Sequence, residues 1–395
     1  MQRAYLDHNA TSPLRQPVKA AMIEAWEVAG NPSSVHKEGR EARALVEKAR
    51  QQVADLVGGV ARQVIFTSGA SEANMLALTP HMKVEYQPDP ASFLFMSAVE
   101  HPSVLSGGRF DAKARREIPV LPSGLVDLAA LRQMLAAHDM QTGRPMIAVM
   151  AVNSETGVIQ PVAEIAALAQ EFNAYFHLDA VQAVGRISLD MAELGCTSLS
   201  LSAHKLGGPK GVGALIMAHE GTEPEPLITG GPQENRLRAG TENVAGIVGF
   251  GVACEEAGED LRKPDGFGRL TVLRDHFEER LRALGPDVVI FGADAERVGN
   301  TSQFAIPGIK GEMALIRLDL AGVAVSSGSA CSSGKVSASH VLLAMGYEPV
   351  IAGSAIRMSL GWSSKEPEID ALIEALEQIC VKNSKNSLRG IEKGL

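Results

Sequence analysis

Five short stretches of this chain set reactive side chains among residues small enough to let a ligand approach. The most pointed is Ser200-Leu201-Ser202-Ala203-His204-Lys205-Leu206-Gly207-Gly208, where a lysine directly follows an apolar, strand-like run. Such a lysine either reaches solvent or is desolvated, and a desolvated amine loses basicity and becomes fit for Schiff-base chemistry. Phe66-Thr67-Ser68-Gly69-Ala70-Ser71-Glu72 reads as a strand, a small-residue turn and a helix start. Free N–H groups there, with Ser71 beside them, suit a phosphate dianion; the alternative is ordinary N-capping by Ser68 or Ser71. His177-Leu178-Asp179-Ala180-Val181-Gln182 ends an apolar run on an acid, which either N-caps a helix or serves a cationic partner. Ser97-Ala98-Val99-Glu100-His101 puts a histidine just past another run, in a structural or a functional role. The fifth stretch surrounds Cys331 with serines and glycines and carries no apolar periodicity, which predicts a thiol on a flexible, exposed loop. Cys196, Cys254 and Cys380 sit in helical or apolar context and read as structural.

The elements that must carry these residues alternate along the chain. Helical spacing marks residues 17–29 and 41–57, then β-rich runs at 63–67, 93–97, 146–152, 175–179, 198–202 and 212–218 are mostly separated by helical segments such as 126–138 and 161–172. This alternation predicts an α/β fold with a largely parallel sheet, in which ligands bind beyond the carboxyl ends of the strands. After Gly249 and Gly251, helical stretches at 255–262 and 270–284 lead to a second strand set at 288–291 and 301–306, with a domain boundary near 252–264. With 395 residues and 45% hydrophobic content the chain can fold into two or three units with a large core. A net charge of −9 argues against nucleic-acid or membrane-surface partners. Four dispersed cysteines, no leader-like start and no long apolar window make the cytoplasm the expected location. Gly328 to Lys335 lacks P-loop spacing, Gly207 to Gly213 lacks the dinucleotide order, and no metal-ligand pattern occurs, so no metal is expected.

Together, a phosphate cradle, a strand-end acid, a glutamine and an imine-competent lysine on one sheet edge describe a pyridoxal phosphate site. The acid would keep the pyridine nitrogen protonated and Lys205 would carry the cofactor and shuttle a proton.

These residues resemble the class V aminotransferase-like pyridoxal phosphate enzymes, and among them the cysteine desulfurases of the nitrogen-fixation and iron–sulfur-cluster type. The similarity runs from Tyr5-Leu6-Asp7 to Ser354-Ala355-Ile356-Arg357. It implies fold type I of these transferases: a large domain at 17–255 with a mainly parallel seven-stranded sheet, and a smaller α+β domain of 1–16 with 256–395 carrying the cysteine loop. It also implies that Lys205 is the Schiff-base lysine, that Ser202 and His204 meet the phosphate with Ala70 and Ser71, and that His101 stacks on the ring. Asp179 would hold the pyridine nitrogen and Gln182 the phenolic oxygen. Thr241, in Arg238-Ala239-Gly240-Thr241, would reach the phosphate of a neighbouring subunit, which implies a homodimer with shared sites. Arg357 would grip the substrate carboxylate, a task suited to a bidentate guanidinium, and Asn31 would lie near the substrate. Asn153 and Ser154 fall on a cofactor contact, although many relatives read Asn-Asn-Glu where this chain reads Asn153-Ser154-Glu155.

The activity so implied converts L-cysteine to L-alanine and leaves the sulfur as a persulfide on Cys331, with Lys205 and His101 moving protons. A sulfur acceptor or iron–sulfur scaffold protein would then take it. The alternatives are a selenocysteine lyase or an aminotransferase on the same fold, for which Cys331 should be dispensable and a keto acid required, and a non-catalytic partner protein that keeps only the fold.

Overall fold

The β-rich runs assemble as strands of one sheet in the computed structural model, which describes residues 3–263, 265–327 and 338–392. In chain order they are β1 (Val64–Thr67), β2 (Ala91–Ser97), β3 (Arg115–Ile118), β4 (Arg144–Met150), β5 (Tyr175–Asp179), β6 (Ser198–Ser202) and β7 (Gly213–Met217). Their order across the sheet is β1-β7-β6-β5-β4-β2-β3. All pairings are parallel except those of β7, which runs against both β1 and β6. Two reversals leave β1 pointing the same way as β6, so six strands deliver their carboxyl ends to one edge. Both faces of the sheet are covered, hence the continuous apolar runs. Phe66, Ile147, Val149, Phe176, Leu178 and Leu199 enter the core on one face, while Ile65, Leu94, Met146, Ala148, Tyr175 and Leu215 fill the other. Strand β3 escapes the sequence periodicity because it is a charged edge strand, Arg-Arg-Glu-Ile, with only Ile118 buried.

Helices α1 (Gln16–Trp26), α2 (Lys37–Leu56) and α3 (Ala70–Ala77) precede β2, and α4 (Leu128–Ala136) and α5 (Val162–Glu171) lie between later strands. The next helix corrects the sequence reading. The stretch expected from residue 255 is one helix, α6 (Val244–Arg262), that continues through Gly246, Gly249 and Gly251. These glycines admit neighbours instead of breaking the helix: a Cβ on Gly251 would stand 2.7 Å from Ala49 Cα of α2, and one on Gly249 would stand 2.7 Å from Met22 Cγ of α1. Gly251→Ala therefore destabilises the fold by about 1–3 kcal/mol. The gain in helix propensity, about 1 kcal/mol, does not offset a clash with main-chain carbon that cannot rotate away. A lower urea midpoint at unchanged m-value checks this, and an equal or higher midpoint would contradict it.

A second core gathers Phe277 of α7 (Gly268–Arg282), Leu318 of α8 (Gly311–Leu320) and Leu372 and Leu376 of α9 (Glu366–Glu392). Phe304, Ile356 and Met358 enter it from a three-stranded antiparallel sheet, β8 (Val289–Ile290), β9 (Thr301–Ala305) and β10 (Ile356–Ser359). Ala4 and Leu6 complete this core from the start of the chain, where Ala4–Tyr5 pairs in parallel with Val323–Ala324. Residues 7–12 thus pass between this unit and the carboxyl edge of the large sheet. Among the described residues no helix is long and apolar enough to cross a membrane.

Candidate active site

The strand ends surround a cavity of about 1090 Å³. Ala70, Ser71, His101, Ser154, Asp179, Gln182, Ser202, His204, Lys205 and Arg357 line it, so ten of the residues singled out from sequence meet there. Asn153, Asn31 and Thr241 do not line it, and Cys331 lies outside the described residues.

Lys205 follows β6 in a short 3-10 turn, and its Nζ donates to Asn9 O at 2.5 Å and Ala10 O at 2.9 Å. Desolvation, then the Arg357 and Arg186 charges, lower its pKa to about 7 from 10.5, which selects the desolvated reading over a surface lysine. The sign of the linkage follows. Below about pH 7 the amine is protonated in folded and unfolded chains alike, and the full penalty of burying it is felt. Between about 7 and 10.5 the unfolded chain alone stays protonated, so the penalty fades as pH rises. Cofactor-free Lys205→Met should therefore be more stable than cofactor-free parent below pH 7, with the difference vanishing by about 10.5. Paired thermal melts across that range check it, and a pH-independent difference would contradict it.

Asp179 ends β5 and is 6% exposed. Its Oδ1 accepts from Val181 N at 3.0 Å and its Oδ2 from Asn74 Nδ2 at 2.9 Å. Asn74 is itself fixed by His177 Nε2 at 3.0 Å, and burial lowers the His177 pKa to about 3, keeping that ring neutral. Gln182, one turn on, donates from Nε2 to Asn9 O at 3.0 Å. The start of α3 forms part of the cavity wall, and its first-turn N–H groups have no intrahelical acceptor. Gly69 is its N-cap and no side chain caps it, so the capping roles considered for Ser68 and Ser71 are not taken up. Glu72 Oε2 instead accepts from Ser68 N at 2.8 Å and steadies the turn. Gly213, paired with Thr67, permits the close approach: a Cβ there would stand 2.7 Å from Gly69 C. Ser202 and His204 also line the cavity, and His204 Nδ1 lies 2.6 Å from Thr11 Oγ1. Desolvation, with Lys205 and Lys210 nearby, lowers the His204 pKa to about 4.

His101 caps the one-turn helix at Pro102–Leu105, with Nδ1 accepting from Ser103 N at 3.1 Å, and also faces the cavity. Partial desolvation lowers its pKa against the pull of the Asp179 charge. Arg357, on β10, reaches the cavity from the second unit. Its Nη2 donates to Asp7 Oδ1 at 2.8 Å and its Nη1 to Ser154 O at 3.0 Å. Asn153 is spent on nearby main chain, accepting from Glu155 N and Thr156 N of its own turn at 2.9 and 3.0 Å and donating to Val99 O at 3.1 Å. Asn31 is exposed and accepts from Ser33 N at 2.9 Å, while Thr241 is exposed next to the segment whose Arg238 bonds Glu72 at 2.9 Å.

Four cavity or support residues were not legible as such in the sequence: Asp7, Asn9, Asn74 and Glu100. Glu100 is fully buried on the cavity wall, Oε1 accepts from Met150 N at 2.7 Å, and burial with the nearby Asp179 charge raises its pKa well above the usual range. Adjacency to His101 was the available signal.

The donor set fits pyridoxal phosphate. First-turn N–H groups with Ser71, Ser202 and His204 could offer hydrogen bonds to a dianion, Asp179 is a fixed carboxylate on the cavity wall of the kind a protonated ring nitrogen requires, and Lys205 is an amine of low basicity.

Comparison with known proteins agrees with this geometry. The family model for class V aminotransferases matches residues 4–372. The chain is 41% identical to the cysteine desulfurase IscS of Dictyoglomus turgidum, covering 96% of this chain and 95% of that protein. It is 37% identical to the cysteine desulfurase NifS of Azotobacter vinelandii, covering 96% and 93%. Among solved structures, the NifS-like protein from Rickettsia africae superposes with a TM-score of 0.84 at 34% identity, covering 96% of this chain and 99% of that one. With the match running almost end to end and the strand ends meeting at one cavity, the chain belongs to the class V aminotransferase family, among its pyridoxal phosphate-dependent cysteine desulfurases of the nitrogen-fixation and iron–sulfur-cluster type.

Proposed function

We propose that this protein is an L-cysteine desulfurase that releases L-alanine and passes the sulfur through a persulfide on Cys331, supplying iron–sulfur clusters or thiolation. The observation that carries the reading is the meeting of Lys205, Asp179, His101 and Arg357 at one cavity in a chain that matches cysteine desulfurases over nearly its whole length.

When bound, pyridoxal phosphate supplies an electron sink for the substrate's α-carbon. Lys205 would hold the cofactor and would take the proton from the substrate's α-carbon, a role suited to an amine whose basicity is lowered by burial and by the Arg357 and Arg186 charges. Asp179, held by Asn74 and the Val181 N–H, would offer its carboxylate to the ring nitrogen. Gln182 would serve the phenolic oxygen, and Ala70, Ser71, Ser202 and His204 would hold the phosphate. Asp7 and the Ser154 carbonyl fix the plane of Arg357, so that the guanidinium presents its remaining donors to the substrate carboxylate. His101 moves protons at the substrate sulfur and Cβ. The Cys331 thiolate attacks that sulfur: an S–S bond forms as the Cβ–S bond breaks, and Cβ then accepts a proton.

The same reading makes the protein a cytoplasmic homodimer in which Thr241 reaches the partner's phosphate site and Asn31 approaches the substrate. Residues 17–255 act as the cofactor domain, 1–16 with 256–395 as the small domain carrying Cys331, and Asn153 with Ser154 supports the cofactor pocket through its turn. A sulfur-accepting or iron–sulfur scaffold protein is the macromolecular partner. The test is to supply L-cysteine and a reductant without any keto acid and to quantify products. Equimolar alanine and sulfide support the desulfurase, whereas alanine that appears only with a keto acid would replace it with an aminotransferase.

A further inference from the structure

We propose that a second cavity, which shares Lys205 with the active site, binds one small inorganic oxyanion of the sulfate or phosphate class through the guanidinium groups of Arg186 and Arg269. This cavity of about 190 Å³ is lined by Trp362 and by five cationic side chains, Arg15, Arg186, Lys205, Lys263 and Arg269, against two carboxylates, Asp260 and the exposed Asp265. Its charge balance sets it apart. Buried arginines elsewhere are matched by carboxylates: Arg50 by Glu234 at 2.7 Å, Arg297 by Glu278 at 2.8 Å and Arg357 by Asp7 at 2.8 Å. Within this cavity Arg15 is matched by Asp260 at 2.8 Å, and Lys263 by Glu259 at 3.1 Å. Arg186 and Arg269 are not matched. Arg186 is 8% exposed and donates to the neutral Gln182 Oε1, and Arg269 donates to the carbonyls of Ser364 and Trp362, both at 2.6 Å. Among the described residues neither forms an ion pair.

The charges of these arginines also bear on His8. This buried imidazole has its pKa lowered to about 3 by burial and then by the Arg186, Arg15 and Arg269 charges, so all three act on one point. A guanidinium withdrawn from water without a counter-ion is strongly penalised, and an anion entering the adjoining space relieves that penalty for buried Arg186 while half-buried Arg269 supplies a second donor fork. Planar donor forks match an oxyanion better than a spherical halide, which fixes the class of ligand. The volume admits a tetrahedral oxyanion but is far smaller than the cavity that would hold cofactor and substrate.

The test is equilibrium dialysis of radiolabelled sulfate against the pyridoxal phosphate-loaded protein at low salt, with phosphate and chloride as competitors. One saturable sulfate per chain is expected, displaced by phosphate and much less readily by chloride. Arg269→Met should weaken it by at least about tenfold, and Arg186→Lys, which keeps the charge but loses the fork, should also weaken it. Arg357→Met, which alters the substrate cavity but also removes a charge that acts on Arg186, should weaken it less than Arg269→Met does. The proposal is overturned by absence of saturable binding, by binding that survives Arg269→Met, or by binding lost in Arg357→Met alone. The readout requires no turnover, so its failure is distinguishable from failure of the desulfurase reading.

Discussion

Lys205→Ala loses at least about ten-thousandfold of alanine formation from L-cysteine, together with the visible absorbance of the protein-bound cofactor. The size of the effect follows from two duties falling on one amine, anchoring the cofactor and moving the α-proton. No neighbour can take over. Lys210 also lines the cavity, but it is exposed, whereas Lys205 is steered to its place by the Asn9 and Ala10 carbonyls and made less basic by burial and two arginines. Amino-acid analysis and an absorbance spectrum of both lysine variants check this. Lys210→Ala should keep the cofactor band and most of the activity, and a Lys205→Ala protein that still turns over would require another amine to be the anchor.

Asp179→Asn should lower kcat by about a thousandfold while leaving the fold intact, because the substitution removes charge but little volume. The carboxylate accepts from Asn74 on one oxygen and the Val181 N–H on the other. An asparagine can present its oxygen to only one of these donors and offers no negative charge to a protonated ring nitrogen, so the electron sink weakens. The cofactor band should persist with altered position, since Lys205 and the phosphate cradle are untouched. Single-turnover kinetics on the cofactor-saturated variant check the prediction. A loss below about tenfold would mean that Asp179 serves only its local turn.

How far this site could be read from sequence depends on where each contributor comes from. Asp179, Lys205 and the 68–71 turn were accessible because each directly follows an apolar strand, and parallel order sends those strand ends to one edge. The residues that fix them come from places without a periodic signal. Asn9 supplies the carbonyl for both Lys205 and Gln182 from an irregular segment 196 and 173 positions away. Asp7, which orients Arg357, is 350 positions from it and becomes its neighbour only because Ala4–Tyr5 adds to the second unit. Asn74 lies on the buried face of α3, one turn after Ser71, where its polarity gives no indication that it supports an acid from β5. The fold was misread where glycine was taken as a break: in α6 the glycines are sites of close helix packing, a distinction that depends on Met22 and Ala49 from distant helices. Strand β3 went unread because its residues face solvent at the sheet edge.

The central claim, that sulfur leaves the substrate on Cys331, is tested most directly by exposing the cofactor-loaded protein to L-cysteine without reductant and weighing the intact chain and its peptides. One added sulfur atom on the peptide containing Cys331, formed together with one alanine and absent from Cys331→Ser, is the predicted result. Undiminished alanine and sulfide production by Cys331→Ser, or the added sulfur on Cys196, Cys254 or Cys380, would contradict it.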